Sequence, residues 1–252
     1  AAASRAFHGP WPMGGTAAGT TGKAAAQGLP LLEPQPGASP AHHALPRPRA
    51  SCMSATVHAS VLLLIYVHNQ WSRSLISYLV DFSPGASEAP GAPRALMNAD
   101  VGFGALAYSA IVSLAFVAVF APLSLFAGCV ADVTDRAALS AYALAAWSLA
   151  TAWQGAARQL WELVACRMLL GAAQAFTTPA AYTLLADLTH PARRGCVNAV
   201  YASGVYLGAG VSALSILAAR SLGWRATTEA VAIGGLALAA LAALALRDPR
   251  AP

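Results

Sequence analysis

Charged side chains are scarce in this chain, and acidic ones are scarcer than basic ones. Of its 252 residues, 15 are Lys or Arg and 10 are Asp or Glu, so charged residues make up 10% of the total. Because about a quarter of the residues of a water-soluble domain are charged, this composition excludes an ordinary soluble globular protein. Hydrophobic residues make up 57% and the mean hydropathy is +0.55, which indicates an integral membrane protein.

The sequence also lacks the motifs of metal, nucleotide and redox chemistry. Its four cysteines form no CxxC pair, and it contains no glycine-rich phosphate loop. His58 and His68 lie ten residues apart on one apolar segment and do not share a helix face, as two metal ligands would. We expect no metal and no cofactor. The segment YASGV, which begins at Tyr201, lacks the first glycine of an intramembrane serine protease motif, and we expect no enzyme.

Long stretches without charge occupy most of the chain after residue 50. They cover residues 50–72, 101–131, 137–157, 168–186, 195–219 and 230–246. Most of them reach the roughly 20 residues that a membrane-spanning helix requires. We therefore predict an all-α fold, a polytopic membrane bundle of six transmembrane helices that occupies residues 56–247.

The basic residues outside these segments favour one topology. With the amino terminus inside, nine of them fall on the inner side and four on the outer side. The inner ones are Arg5, Lys23, Arg47, Arg49, Arg136, Arg193, Arg194, Arg247 and Arg250, and the outer ones are Arg94, Arg158, Arg220 and Arg225. Because cytoplasmic loops carry the excess of Lys and Arg, we expect both termini to be cytoplasmic. The net charge of +5 reflects this topology, and we expect no nucleic-acid partner.

The two ends of the chain differ from the helical part. Residues 1–55 are rich in Ala, Pro and Gly, and segments such as LPLLEPQPGASP have too few large apolar residues for a core. We predict a disordered tail, with an organellar transit peptide as the alternative. We interpret residues 248–252 as a cytoplasmic end at which the chain is truncated.

Two arginines lie inside predicted transmembrane helices, where a guanidinium costs roughly 2.5 to 3.5 kcal/mol on insertion scales. Arg73 is on the first helix and Arg167 on the fourth, which runs in the opposite direction. Both lie about seven residues from the outer end, so they share a depth of roughly 10 Å at 1.5 Å per residue. Two guanidiniums at one level can bind a phosphate or carboxylate through paired hydrogen bonds. The alternative is that one arginine closes on partners such as Asn69 or Gln174.

Charges also concentrate in two short inner connections, GCVADVTDRAAL and ADLTHPARRG. We predict that they join into an ion-pair network that holds the inner ends of the helices together. Its members are Gly128, Asp132, Arg136, Asp187, Arg193 and Arg194. The alternative is two solvated turns, whose ion pairs would contribute about 0 to 1 kcal/mol.

Small residues indicate where helices approach closely. Gly171 lies four residues after Arg167, and Gly204, Gly208 and Gly210 lie on the fifth helix. Gly204 and Gly208 are one turn apart and form a small-xxx-small pattern, at which a neighbouring backbone can approach. We predict helix packing at all four glycines.

Two of these segments resemble a known family. Gly128-x-x-x-Asp132-x-x-x-Arg136 resembles the loop signature of the major facilitator superfamily, and LVACRMLLGAAQA, from Leu163, resembles its fourth-helix motif. The resemblance covers about residues 57–247, and VHNQWSRSLI on the first helix is most similar to the spinster-like branch. It implies a transporter of twelve helices in two halves, each made of two inverted three-helix repeats with substrate between the halves. The chain would be the amino-terminal half.

The sequence departs from the spinster-like pattern at two positions. The motif Asn-x-x-Asp-Arg reads here Asn69, Gln70, Trp71, Ser72, Arg73, and a neutral Gln174 stands where the branch commonly has an acid. Proton coupling requires a buried carboxylate with an adjustable pKa. Either coupling is supplied by another part of the protein, or transport proceeds without protons.

The sequence therefore predicts a secondary transporter, working by alternating access, for a small organic anion or an amphiphilic lipid-like solute. Its substrate-binding residues would be Arg73, Arg167, Asn69, Gln70 and Gln174. The expected partners are membrane lipid, a small-molecule substrate, and the missing carboxy-terminal half or a second copy of the chain. The alternative is a non-transporting half-size membrane scaffold, because half of a pathway cannot alternate by itself.

Overall fold

The computed structural model describes residues 52–250. The long helices are α1 (Cys52–Ser74), α2 (Ala105–Val133), α3 (Arg136–Ala156), α5 (Arg194–Leu222) and α6 (Trp224–Ala245). The fourth, α4, has two segments, Leu160–Gln174 and Thr177–Leu188. We call the end that holds the α2–α3 and α4–α5 connections the inner end, and the opposite one the outer end. The disorder predicted for the tail lies mostly outside the described residues, although α1 already begins at Cys52.

Local signals fix where these helices begin. The Asp135 carboxylate accepts a hydrogen bond from the backbone N–H of Ala138 and caps α3. Gln159 and Glu162 form a capping box at the start of α4. A single residue, Gly223, joins α5 to α6 with a φ of 91°, and a Cβ there would lie 2.9 Å from the carbonyl oxygen of Arg94. This turn therefore requires glycine.

The helices pack in pairs related by an inverted repeat. Extensive contacts join α1 with α5, α2 with α4, α3 with α6 and α3 with α4, and α1 also contacts α6. Exchanging α1 with α4, α2 with α5 and α3 with α6 turns this set of pairs into itself. This relation is the one expected between two inverted three-helix repeats. It confirms the predicted all-α half-bundle.

Three of the described helices are long and apolar enough to cross a membrane by composition alone, namely Ala105–Val133, Pro191–Leu222 and Trp224–Ala245. The others, α1, α3 and α4, carry polar side chains into the bundle, and α4 is also divided into two shorter segments. Among these buried side chains are His68, Asn69, Ser72, Arg136, Gln154, Arg167 and Gln174. Polar groups inside a membrane protein face the bundle interior, where partners are available.

The outer connection between α1 and α2 is folded. A 3₁₀ turn, Leu75–Tyr78, follows α1, and two short helices, Ala92–Ala95 and Met97–Val101, precede α2. The Asn98 amide donates to the Asp81 carbonyl, and the Asp81 N–H donates to the Asn98 side-chain oxygen. Further along, the Asp100 carboxylate forms an ion pair with Arg225 at 2.9 Å. The connection is thereby fastened to the start of α6.

Close helix packing occurs at three of the four predicted glycines. A Cβ at Gly171 would lie 2.7 Å from the carbonyl oxygen of Phe116, and one at Gly204 would lie 3.0 Å from the Tyr66 ring. A Cβ at Gly208 would lie 2.6 Å from both the Gln70 Cβ and the Val67 carbonyl oxygen. These glycines let α2 approach α4, and α1 approach α5.

The prediction for Gly210 is wrong. Among the described residues, nothing lies within 4 Å of a Cβ placed there. Two residues rotate an α-helix by about 200°, so Gly210 faces away from the contact that Gly208 makes. The sequence pattern instead missed Gly235 on α6, where a Cβ would overlap the side chains of Ser148 and His68.

The paired glycines provide a test of the α1–α5 contact. We expect Gly208→Leu to destabilise the bundle, because overpacking costs about 1 to 3 kcal/mol, and Gly210→Leu to behave as wild type. Thermal unfolding of the purified protein, followed by fluorescence-detected size-exclusion chromatography, measures the difference. Equal stability of the two variants would contradict the packing described here.

Candidate functional site

Arg73 is held at the outer part of α1 by an amide and two aromatic rings. Its Nε donates a hydrogen bond of 3.1 Å to the side-chain oxygen of Gln174 on α4. Its guanidinium carbon lies 4.6 Å from the centroid of the Phe116 ring and 5.0 Å from that of Phe120, both on α2. Cation–π contacts of this kind contribute about 0.5 to 2 kcal/mol. In this conformation Arg73 is paired with the amide of Gln174. This pairing is the alternative to ligand binding that the sequence predicts.

The Gln174 amide joins α4 to the backbone of α1. Its nitrogen donates to the Asn69 carbonyl oxygen at 3.2 Å and to the Ser72 hydroxyl at 3.1 Å. Its oxygen is the acceptor for Arg73. Both ends of the amide are therefore used, and Gln174 is buried. Asn69 contributes its carbonyl to this contact, while Gln70 places its Cβ against Gly208 of α5.

Arg167 is almost fully buried, with 1% of its surface exposed. Its Nη1 donates a hydrogen bond of 3.0 Å to the carbonyl oxygen of Arg73, near the end of α1. A cation at this position interacts favourably with the negative end of the helix dipole. This contact also places the two arginines at the same depth.

The other guanidinium nitrogens of Arg167 are unpaired. Its Nε and Nη2 are buried and have no hydrogen-bond partner in the structure. A buried donor without an acceptor costs about 1 to 3 kcal/mol, and more when it belongs to a charged group. The site therefore has unused donor capacity for an acceptor, and it is cationic.

A second polar cluster lies at the inner end, around Arg136. The side chain of Arg136 is fully buried and donates to both carboxylate oxygens of Asp248. Its Nη1 binds the Asp187 carboxylate at 2.9 Å, and Arg250 binds the same carboxylate at 2.7 Å. The network connects the start of α3, the end of α4 and the segment after α6.

Asp248 lies outside the membrane-spanning helices and remains ionised. Burial raises the pKa of its carboxyl, but hydrogen bonds from Arg136 and from the backbone N–H of Arg250 outweigh that effect and hold the pKa at about 2. The carboxylate is therefore charged throughout the physiological pH range.

Only part of the predicted inner network is brought together. Arg136 and Asp187 meet, whereas Asp132, Arg193 and Arg194 are exposed and form no ion pair among the described residues. Gly128 has open space around it on α2. The turn at Thr134 and Asp135 separates Asp132 from the buried face that Arg136 occupies.

Asp248 and Arg250 were missed by sequence reasoning. The available signal was an acid next to basic residues directly after the sixth helix, at the same end of the bundle as Arg136. Asp187 and Asp248 lie 51 and 112 residues away from Arg136 in the sequence, so the cluster forms only when the helices pack.

A buried histidine was also missed. The indole N–H of Trp147 donates to Nδ1 of His68 at 3.1 Å, and Nε2 of His68 lies 3.0 Å from the Val231 carbonyl oxygen. Because the indole can only donate, Nδ1 is the acceptor and Nε2 carries the proton. His68 is thus a neutral link between α1, α3 and α6, one turn away from Ser72.

Comparison with known proteins places these features in a family. The sequence profile of the Major Facilitator Superfamily matches residues 51–252. No curated protein sequence matches the chain significantly. Two similar solved structures are the inward-facing unoccupied and occupied conformations of a bacterial homolog to the human lysosomal transporter Spinster.

The likeness to these two structures is one of fold. Each has a TM-score of 0.68 and 19% sequence identity over 79% of this chain. The match covers 44% and 46% of their chains, so this chain spans less than half of their length.

The family profile covers the whole six-helix bundle, and the bundle has the fold of about half of a solved transporter of this kind. The chain therefore belongs to the Major Facilitator Superfamily, a family of membrane transporters and not of enzymes.

Proposed function

We propose that this bundle is one half of a secondary transporter that moves an organic anion by alternating access. The second half is a carboxy-terminal six-helix bundle or a second copy of this chain, because substrate pathways in this fold lie between two halves. Membership of the family supports the transporter, and the arginines of α1 and α4 support the anion.

The observation that carries the proposal is the pair of unpaired nitrogens on Arg167. Its Nε and Nη2 are adjacent donors of one planar fork, which matches the two oxygens of a carboxylate or phosphate. The third nitrogen is fixed on the Arg73 carbonyl, so the direction of the fork is set before a ligand arrives. An anion bound there would satisfy donors that the protein leaves free.

Arg73 supplies the second charge of the proposed site. Its bond to the neutral amide of Gln174 is weaker than a bond to an anion, so an incoming anion can compete for the guanidinium. The Phe116 and Phe120 rings beside Arg73 present an apolar wall to the rest of the ligand. These rings favour an organic anion over a small inorganic ion.

The neutral side chain of Gln174 is relevant to whether transport is coupled to protons. An ionised glutamate at this position could not donate to the Asn69 carbonyl or to the Ser72 hydroxyl, as the Gln174 amide does. The contact between α1 and α4 therefore depends on an amide. We propose that this half moves its anion without binding a proton at Gln174 or Ser72.

Substitution of Arg167 tests the proposal. We expect Arg167→Lys to lower kcat/KM for anion uptake by about tenfold or more, since a lost charge-assisted hydrogen bond costs about 1.5 to 3 kcal/mol, and Arg167→Gln to be at least as severe. Uptake into proteoliposomes that contain equal amounts of folded protein measures this. The exposed Arg220→Gln is the control and should transport as wild type.

Normal uptake by both Arg167 variants would show that the arginine has only a packing role. Absence of uptake of any organic anion by the wild-type protein would favour the non-transporting scaffold.

The proposed orientation places both termini in the cytoplasm. In a protein with Cys52, Cys129 and Cys196 replaced by serine, we expect Thr134→Cys and Ala192→Cys to react with an impermeant maleimide added to the cytoplasmic side. Ser87→Cys, in the outer connection, should react only from the opposite side. All three positions are exposed, so the reverse pattern of labelling would overturn the orientation.

A further inference from the structure

A groove of about 580 Å³ opens at the inner end of the bundle, and neither Arg73 nor Arg167 lines it. It lies between the first half of α1, the end of α4 and the start of α5. Ser60 and Leu63 form one wall, and Cys196, Val197 and Val200 form the other. His190 and Arg193 stand at its mouth.

The lining of the groove is amphipathic. Leu63, Val197 and Val200 make its depth apolar, whereas Arg193 gives the mouth a positive charge. Arg193 is exposed and forms no ion pair among the described residues, unlike Arg136 and Arg250 of the inner network. Its guanidinium is available to an anion from solution or from the membrane surface.

The segment that carries Arg193 is fixed by its own hydrogen bonds. The Arg193 N–H donates to the His190 carbonyl at 2.8 Å, and the His190 ring accepts from the Ala192 N–H at 3.3 Å. The Arg194 Nε donates to the Thr189 carbonyl at 3.4 Å. The turn is therefore ordered, and the mouth of the groove exists before a ligand binds.

Three tyrosines separate the groove from the arginines. Tyr66 stacks on Tyr201 with centroids 4.6 Å apart, and Tyr182 meets Tyr201 edge to face at 5.0 Å. Tyr66 lies three residues beyond Leu63 on α1, and Tyr201 follows Val200 on α5. The Tyr201 hydroxyl is buried without a hydrogen-bond partner, and the residue is 2% exposed. Tyr66 therefore lies between the groove and Arg73 along α1.

We propose that this groove is a second, inner binding site for the transported organic anion. The anionic group pairs with Arg193, and the apolar body lies against Leu63, Val197 and Val200, below the tyrosine cluster. Ser60 and Arg73 are 13 residues apart on α1, or about 20 Å at 1.5 Å per residue, so the two anion sites are distinct. This inference rests on the proposed function, because it takes the same ligand to both sites.

Cys196 permits a direct test, since it is exposed and lines the groove. In a protein whose other cysteines are replaced, we expect dodecyl phosphate to slow the reaction of Cys196 with N-ethylmaleimide. Dodecanol lacks the charge and inorganic phosphate lacks the apolar body, so each should protect far less. A matched protein that retains only the exposed Cys129 on α2, outside the groove, should show no protection.

Arg193→Gln should weaken the protection of Cys196 by about tenfold in concentration, which corresponds to about 1.4 kcal/mol for one lost ion pair. Unchanged protection in this variant, equal protection by dodecanol, or no protection at all would each overturn the inner site.

Arg167→Gln separates this inference from the proposed function. Protection of Cys196 should persist in that variant while transport falls. If transport is insensitive to Arg167 but Cys196 is still protected through Arg193, the proposed function fails and the inner site stands. If transport requires Arg167 but Cys196 is not protected, only the inner site fails.

Discussion

Hydrogen bonds from side chains of α4 to backbone carbonyls of α1 hold the polar centre of this bundle together. Gln174 donates to the carbonyl of Asn69, and Arg167 donates to that of Arg73. Inside a bilayer no water is available to replace a lost acceptor, so each of these buried donors would cost several kcal/mol if it were left unsatisfied. The equal depth of the two arginines and the position of the site depend on this contact.

The same contact explains why the site is cationic. Neutral side chains stand at Ser72 and Gln174, where a hydroxyl and an amide donate to carbonyls of the α1 backbone. Arg73 consequently pairs with a neutral oxygen, and Arg167 retains two free nitrogens. A site with two arginines and no carboxylate favours an anionic ligand, because the protein itself supplies no countercharge to these guanidiniums among the described residues.

The helices could be predicted because apolar length is a local property of the sequence. The equal depth of Arg73 and Arg167 could also be predicted, since it follows from counting residues along two antiparallel helices. The contacts of Asp248 with Arg136 and of Trp147 with His68 could not, because each joins helices that are distant in sequence. The prediction of helix packing at Gly210 is wrong for a related reason. A glycine pattern identifies small residues but not the direction in which a helix presents them.

The anion at Arg167 is the central claim, and an experimental structure of the protein with 4-iodobenzoate tests it most directly. The anomalous signal of iodine locates this ligand independently of any interpretation of side chains. The account predicts a carboxylate bound to the Nε and Nη2 of Arg167, with the iodinated ring against Phe116 and Phe120. It would be contradicted if those two nitrogens were satisfied by protein or water while the iodine lay elsewhere.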